Sequence, residues 1–427
     1  METRTIDYQQ ALLECQRIYR KAAIYETFLT LNLRNSLQKA LTVEEIADPL
    51  NLNHDALSRF LHAAASLGLV EKHDNTFVAR KNHPHYSNQS SLVLFWLFNI
   101  QLPDLLKAKP ASLAEIKEAL PNCDKTMLAL AVQFHLLIQD EEGAYAIPRE
   151  TRKYLLSDSP AYIGPRIKHF EKIMFPMFSV KGLLGALRSG KSQWGAFFNN
   201  DVSHPFDLYK NDPVLLETFT HGLHQLNAED DKTIAEKIPI SSPQKVLDVG
   251  GGSGAFVLKL LKQFPTVKEV DIYELPDAIP LMQKIFKSYA PEETRVRFVG
   301  GSFLKETHDH HLNGLEPKDQ YDLIILGWIL HDWTDATNLD ILKRIMTHLK
   351  PGKTLLILES ILPENKIGPA CLGDMAMLLQ TEGRERTLSE YKNLLFSAGY
   401  DNISTIKTDT QRQPIMATRP LSLRSRL

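Results

Sequence analysis

The chain reads as two halves of different class: a mainly helical N-terminal half and an α/β C-terminal half with an open, mostly parallel sheet. Three observations predict this. From about residue 243 onward, short apolar runs alternate with helical patterns, the order that parallel strands joined by crossover helices require. Before about residue 240 the pattern is helical with brief interruptions, and Pro239, Ser241, Ser242 and Pro243 break the last of those helices. The 427 residues suffice for two or three domains, and 43% hydrophobic and 23% charged residues with a net charge of −2 exclude a disordered chain or one built to coat nucleic acid.

Along the N-terminal half, a helical pattern from Tyr8 to Leu37 leads into an internal repeat. One copy runs from Leu41 to Ala79 and the other from Ala111 to Pro148. Each opens on a capping box, Thr42 with Glu45 and Ser112 with Glu115, and continues as two helices and a polar hairpin tip. This is the pattern of a winged helix, present in tandem. Its second helices carry one Arg and one Lys respectively, too few donors for a DNA-recognition helix. An interaction or dimerisation role is expected instead, with residues 1–90 and 91–160 as the two winged-helix-like domains. Cys15, Cys123 and Cys371 fit neither a metal spacing nor a disulfide framework, so a reducing, cytoplasmic setting is expected. The N-terminus lacks the apolar core of a secretory signal, and the longest apolar run, Leu92 to Ile100, falls short of the roughly 20 residues that cross a bilayer. The last three residues, Ser425, Arg426 and Leu427, come close to a peroxisomal address but are read as a basic tail.

The C-terminal half begins with "KVLDVGGGSGAFVLKLLKQFP". Lys245 to Val249 is a buried strand, Gly250, Gly251, Gly252 and Gly254 make a tight turn, and Ala255 to Phe264 is helical. Glycines there let the backbone approach a ligand at the carboxyl edge of the sheet. The next strand ends at Glu274, 20 positions past Gly254, where an acid is placed for ribose hydroxyls. The order D-V-G-G-G-S-G, with Asp248 inside the strand end, differs from the dinucleotide form. It suits a ligand with a cationic amino group and no pyrophosphate, namely S-adenosylmethionine. His308, His310 and His311 have no metal-site spacing and are read as a solvated loop, so no metal is expected. "YDLIILGWILHDWTD" is a buried strand followed by His331 and Asp332 at its end. Further strands are expected at "TLLILES", ending on Glu359, around Ile403 to Ile406 and at Ile415 to Thr418. A helix between them is capped by Thr387 and Glu390 and stopped by Gly399.

"LDVGGGSG", "ELPDAI", "LHDWTD", "LLILESIL" and "QTEGRERT…EYKNLLFSAGY" follow one another at compatible spacing. Together they resemble S-adenosylmethionine-dependent O-methyltransferases of the plant caffeic-acid and animal hydroxyindole (acetylserotonin) type, over about residues 165 to 418. The resemblance implies a Rossmann-like class I methyltransferase domain at 241–427 with a seven-stranded, mostly parallel sheet. It also implies a helical linker at 161–240 contributing to the substrate pocket, and a homodimer through the N-terminal half. It implies S-adenosyl-L-methionine held by Asp248, Gly250, Gly252, Glu274, Leu275, Ser302 and Phe303. A small aromatic substrate would lie beside Met174, Phe178, Trp328, Ala376 and Gln380. His331 would be the catalytic base, with Glu359 and Glu385 orienting it. A histidine can accept a phenol's proton near neutral pH, and carboxylates beside it fix its tautomer.

The chain departs from the family at Ser302, where an acid is usual, and at Gly327 and Trp328, where a Lys or Arg is usual. Its ribose acid is Glu274 rather than Asp. Asp332 is expected to point away from the imidazole. Two other readings stay open on sequence alone: a methyltransferase-fold protein that binds the cofactor without methyl transfer, and a non-catalytic dimeric binding protein.

Overall fold

A computed structural model describes residues 7–159, 161–198, 208–209, 212–304, 311–318 and 320–421, without the side chains of 225–229. His308, His310 and the C-terminal tripeptide lie outside the described residues. The chain divides into two compact units, Met1–Ser189 and Gly190–Leu427. No helix among the described residues is long and apolar enough to cross a membrane.

In the first unit, α1 (Tyr8–Thr30) starts on an Asp7 cap and stops earlier than its apolar pattern, because Asn32 takes the left-handed conformation at φ 53°. A short helix, Leu33–Ser36, completes the segment. The first repeat consists of β1 (Leu41–Thr42), α2 (Val43–Leu50), α3 (His54–Ser66), β2 (Val70–His73) and β3 (Thr76–Ala79), with strand order β1-β3-β2. α4 (Gln89–Asn99) follows. The second repeat has α5 (Leu113–Ala119), α6 (Lys125–Gln133) and a shorter hairpin, β4 (Ile138–Gln139) with β5 (Tyr145–Ala146). Both capping boxes form as the sequence predicts.

The unit ends in a helical run of unusual winding. α7 (Gly164–His169) passes into a π-helical segment, Phe170–Met174, then a short helix, Phe175–Met177, and α8 (Val180–Ser189). Pro176 has no N–H to donate and its ring crowds the preceding turn, while Phe175 N–H reaches back five residues to the Phe170 carbonyl.

The second unit is a seven-stranded sheet in the order β13-β14-β10-β9-β6-β7-β8. Its strands are β6 (Lys245–Val249), β7 (Glu269–Glu274), β8 (Val296–Gly300), β9 (Tyr321–Gly327) and β10 (Leu349–Glu359), all parallel, and the antiparallel pair β13 (Asp401–Thr405) and β14 (Gln413–Thr418). A small pair, β11 (Ile361–Leu362) and β12 (Arg386–Thr387), lies between β10 and β13 in sequence. The helices are α9 (Pro213–Lys237), α10 (Ala255–Gln263), α11 (Ile279–Tyr289), α12 (Asp335–His348), α13 (Ala370–Gln380) and α14 (Leu388–Ala398). Gly399 at φ 97° closes α14 as predicted.

Strand residues alternate between two cores, as a two-faced sheet requires. Val249, Ile324, Leu326, Leu355 and Ile357 pack with α12 and α14. Val246, Leu323, Ile325, Leu356 and Leu358 pack with Ile234 and Ala235 of α9 and Val257 of α10. The helix break expected near residue 240 is met where α9 ends at Lys237, and α9 packs Ile234 and Ala235 on this second core, within the unit that begins at Gly190.

Candidate active site

The glycine turn after β6 is shaped for close backbone approach. Gly250, Gly252 and Gly254 all have positive φ, at 68°, 55° and 73°. A side chain at Gly250 would stand 2.4 Å from Ile329 Cδ1, and one at Gly254 2.8 Å from Ile272 Cδ1 and 2.9 Å from Phe286 Cδ2. Those two glycines are therefore needed by the protein's own packing. Gly252 is different: nothing lies within 4 Å of the place its Cβ would occupy. Its N–H donates to Glu274 Oε1 at 3.0 Å, while Leu275 N–H donates to Glu274 Oε2 at 3.0 Å. Glu274 thus ties the turn to the end of β7, and each oxygen keeps a lone pair for a further donor.

The other residues expected around this ligand are placed as follows. Asp248 is buried at the end of β6, and burial with the nearby Glu274 charge pushes its carboxyl up to about 7. Ser302 accepts from Leu304 N–H at 3.2 Å and so closes its own turn after β8. Phe303 faces Trp333 edge-on at 6.2 Å and lies near Gly250. Leu275 is largely exposed just beyond Glu274. The cation absent at Gly327 has a steric counterpart: Arg412, reaching from the start of β14, puts Nη1 3.3 Å from where a Cβ at 327 would be. Arg412 is buried and ion-paired with Asp231 of α9.

Sequence reasoning missed a support of the turn. His224 of α9 places Nδ1 2.7 Å from Ser253 Oγ and stacks on Tyr289 at 3.9 Å. Burial holds its pKa down at about 4, so the ring is neutral and pairs with the hydroxyl. A lone histidine in a helix carries no signal for this in the sequence.

His331 lies in the 3₁₀ turn Leu330–Asp332 that follows β9. The chain leaves β9 through Trp328, which adopts φ 58°, an uncommon left-handed setting for a large residue, and donates its N–H to Leu358 O at 3.1 Å. The turn is held on every side. Glu359, at the end of β10, accepts from Ile329 N–H at 2.9 Å and Leu330 N–H at 2.8 Å through Oε1. Arg386 donates to the Leu330 and Trp333 carbonyls, both at 2.9 Å, and to Asp335. Asn338 donates to the same two carbonyls. Arg386 and Asn338 were not singled out from sequence; a buried Arg in "GRERT" is indistinguishable there from a solvated one.

The imidazole is buried among carboxylates. His331 Nδ1 is 3.1 Å from Glu385 Oε1 and 3.7 Å from Glu359 Oε2, with both glutamates buried. Glu385 is fixed in turn by its N–H donating to Asp374 Oδ1 of α13 at 3.0 Å. Asp332 does not turn away as expected: its Oδ1 is 3.6 Å from His331 Nε2, because the tight turn folds the neighbouring side chain back onto the ring. The Trp328 ring covers the imidazole at 4.7 Å. Burial works to discharge the ring, but Glu359, Asp332 and Glu385 outweigh it and hold its pKa up at about 10. Burial likewise pushes the Glu359 and Glu385 carboxyls up. Among the described residues, Glu359 Oε2 and Glu385 Oε2 have no hydrogen-bond partner. Donor atoms of His331, Glu359 and Glu385 lie within 4.8 Å of one another, a spacing that would also accommodate a cation.

The residues expected to face a substrate fall in both units. Trp328, Ala376 and Gln380 belong to the second, and Ala376 and Gln380 are buried on α13, where Gln380 O accepts from Trp194 Nε1 at 2.6 Å. Met174 and Phe178 belong to the first, in and just beyond the π-helical segment, both buried.

The glycine geometry separates two roles by experiment. Gly252→Leu meets open space and costs only the left-handed backbone penalty of about 1–2 kcal/mol, while abolishing S-adenosylmethionine binding. Gly254→Leu collides with Ile272 and Phe286 and loses several times more stability. Urea unfolding and calorimetric titration read the two effects, and cofactor binding by a folded Gly252→Leu variant refutes the assignment.

Comparison with known proteins agrees with this geometry. Residues 181–401 match the family model of the O-methyltransferase domain, about half of the chain. Human acetylserotonin O-methyltransferase is 28% identical over 340 residues, covering 77% of this chain and 94% of that protein. The mouse acetylserotonin O-methyltransferase is 31% identical over 243 residues, covering 56% and 60%. Among solved structures, human N-acetylserotonin methyltransferase in complex with SAM superposes with a TM-score of 0.69 at 25% identity over 77% of this chain and 93% of that one. PigF with SAH gives 0.68 at 27% identity over 77% and 95%. The chain therefore belongs to the O-methyltransferase domain family, with the class I methyltransferase fold, and is an S-adenosylmethionine-dependent O-methyltransferase.

Proposed function

We propose that this enzyme methylates the hydroxyl of a small aromatic acceptor, phenolic or hydroxyindole-like, with His331 as general base. The observation that supports it most is the His331 imidazole at the carboxyl edge of the sheet, where open α/β sheets bind ligands, with Nδ1 on two buried glutamates. Bound S-adenosylmethionine supplies an electrophilic methyl group on a sulfonium. With Nδ1–H donating to Glu385 Oε1, Nε2 is the atom that takes the hydroxyl proton as the acceptor oxygen attacks. Glu385 and Glu359 are positioning residues that fix the ring and stabilise its charged form. Trp328 shields the ring from water. Asp248, Gly250, Gly252, Glu274, Leu275, Ser302 and Phe303 are the proposed cofactor contacts. Met174, Phe178, Trp328, Ala376 and Gln380 are the proposed acceptor contacts. The intact His331–Glu359–Glu385 cluster disfavours a protein that binds the cofactor without methyl transfer.

The N-terminal repeats are proposed as winged-helix-like modules that form a homodimer. The second helices of the two repeats, with one Arg and one Lys, support an interaction role over a DNA-binding one. Light scattering is expected to give twice the chain mass at micromolar concentration, and a monomer refutes the reading.

His331→Ala is expected to lose a factor of about 10² to 10⁴ in turnover and to keep its cofactor affinity. Turnover at the parent rate would remove His331 as the base. The pH profile gives a second test. Because the carboxylates raise the folded-state pKa of His331 to about 10, the ring is charged at neutral pH and the base form grows as pH rises. kcat/KM for the acceptor is therefore expected to increase between pH 7 and about 10. Glu385→Gln removes one of those carboxylates and moves the rise to lower pH. A profile that falls from pH 7 upward contradicts the mechanism.

A further inference from the structure

The first unit contains a buried charge of the opposite sign, with a second, half-buried one beside it. Arg166 of α7 is 8% exposed, and its guanidinium lies over the Phe170 ring, 5.1 Å from the centroid. Arg20 of α1 lies over the other aromatic residues of the same group, 5.2 Å from Phe178 and 6.0 Å from Phe170, and donates from Nε to Tyr19 OH at 3.2 Å. Tyr19 packs edge-on to Phe178 at 5.8 Å and tilted on Phe175 at 5.8 Å. Among the described residues no carboxylate comes within ion-pair distance of Arg20 or Arg166, and Arg166 Nε has no hydrogen-bond partner. The nearby carboxylate Glu171 is taken by Asn99 Nδ2 at 2.7 Å.

A lysine or histidine so placed could shed its proton. An arginine does not, because its guanidinium stays charged near neutral pH wherever it sits. Burial, with Arg17 and Arg20 repelling it, pulls the Arg166 pKa down only to about 9, so the cation persists. Leaving a buried cation without an anion is costly, and a ligand that supplied the anion would relieve that cost. The site also lies beside the π-helical segment Phe170–Met174, a winding that recurs at functional sites.

We infer that Arg166 and Arg20, set among Phe170, Phe178 and Tyr19, form a subsite for the carboxylate of a small aromatic ligand. The planar fork of Arg166 matches a carboxylate, and the surrounding rings match the flat body that carries it. The inference concerns binding within the first unit and does not rest on the proposed function.

The test uses the full chain and a panel of hydroxylated benzoates, cinnamates and indole carboxylates, each paired with its carboxamide. Calorimetric titration is expected to show at least one acid binding tenfold or more tighter than its amide. Arg166→Met is expected to abolish that preference and to leave the Kd for S-adenosylmethionine within twofold of the parent. Since it removes an uncompensated buried charge, the ligand-free variant is expected to melt at or above the parent Tm. Equal binding of every acid and its amide by the parent overturns the inference without reference to any variant. So does an Arg166→Met protein that keeps the preference. Binding of an acid that is never methylated upholds the subsite. Methylation of neutral phenols with no acid preferred overturns the subsite and leaves the proposed function standing.

Discussion

The active-site edge depends on one constraint: a glutamate at the end of the buried strand β10. Glu359 is wholly inaccessible to solvent, where a carboxylate without partners is expensive. One of its oxygens is satisfied by the Ile329 and Leu330 amides, and those bonds set the course of the chain as it leaves β9. That course forces Trp328 into a left-handed conformation, drives Ile329 against the space above Gly250, and delivers His331 to the second oxygen of the same glutamate. The glycine turn, the imidazole and the strand order are thus linked through a single side chain.

Carboxylates that receive backbone amides recur across this edge. Glu274 takes the Gly252 and Leu275 amides, and Asp374 takes that of Glu385. In each case the donor is a residue of a turn, and the acceptor sits on a strand end or helix. Such bonds fix a loop with less ordering cost than a pair of long side chains, because the donor has no rotamers to lose. Loops that must present a ligand-facing backbone are in this way given the rigidity of the elements that carry the acids.

The two units meet the problem of buried charge in different ways. In the second, an excess of acid around His331 is relieved by holding protons, since carboxyl pKa values rise readily on burial and the imidazole stays charged beside them. In the first, arginines cannot take that route, and aromatic faces offset only part of the cost. The acidic cluster thus finds its counter-charge in His331, whereas the cationic one has no carboxylate within ion-pair distance among the described residues.

Much of the sheet domain was legible in the sequence, because parallel strands buried on both faces leave continuous apolar runs, and glycine turns and capping boxes leave local signatures. Lys245–Val249 with its glycines, Glu274 at a strand end, the capped helix stopped by Gly399, and both N-terminal capping boxes are of this kind. His331, Glu359 and Glu385 were legible as separate motifs. Their convergence was expected only from the family resemblance; the residues' own pattern does not give it, because it depends on which strand ends lie side by side. That pattern is equally silent on Asp332 beside the ring, His224 behind Ser253, Arg412 over Gly327 and the clamp made by Arg386. Nor does a sequence distinguish an arginine that lies in water from one enclosed by Phe170 and its neighbours. Local geometry is written into neighbouring residues; burial and charge pairing are properties of the packed chain, and only the tertiary structure decided them.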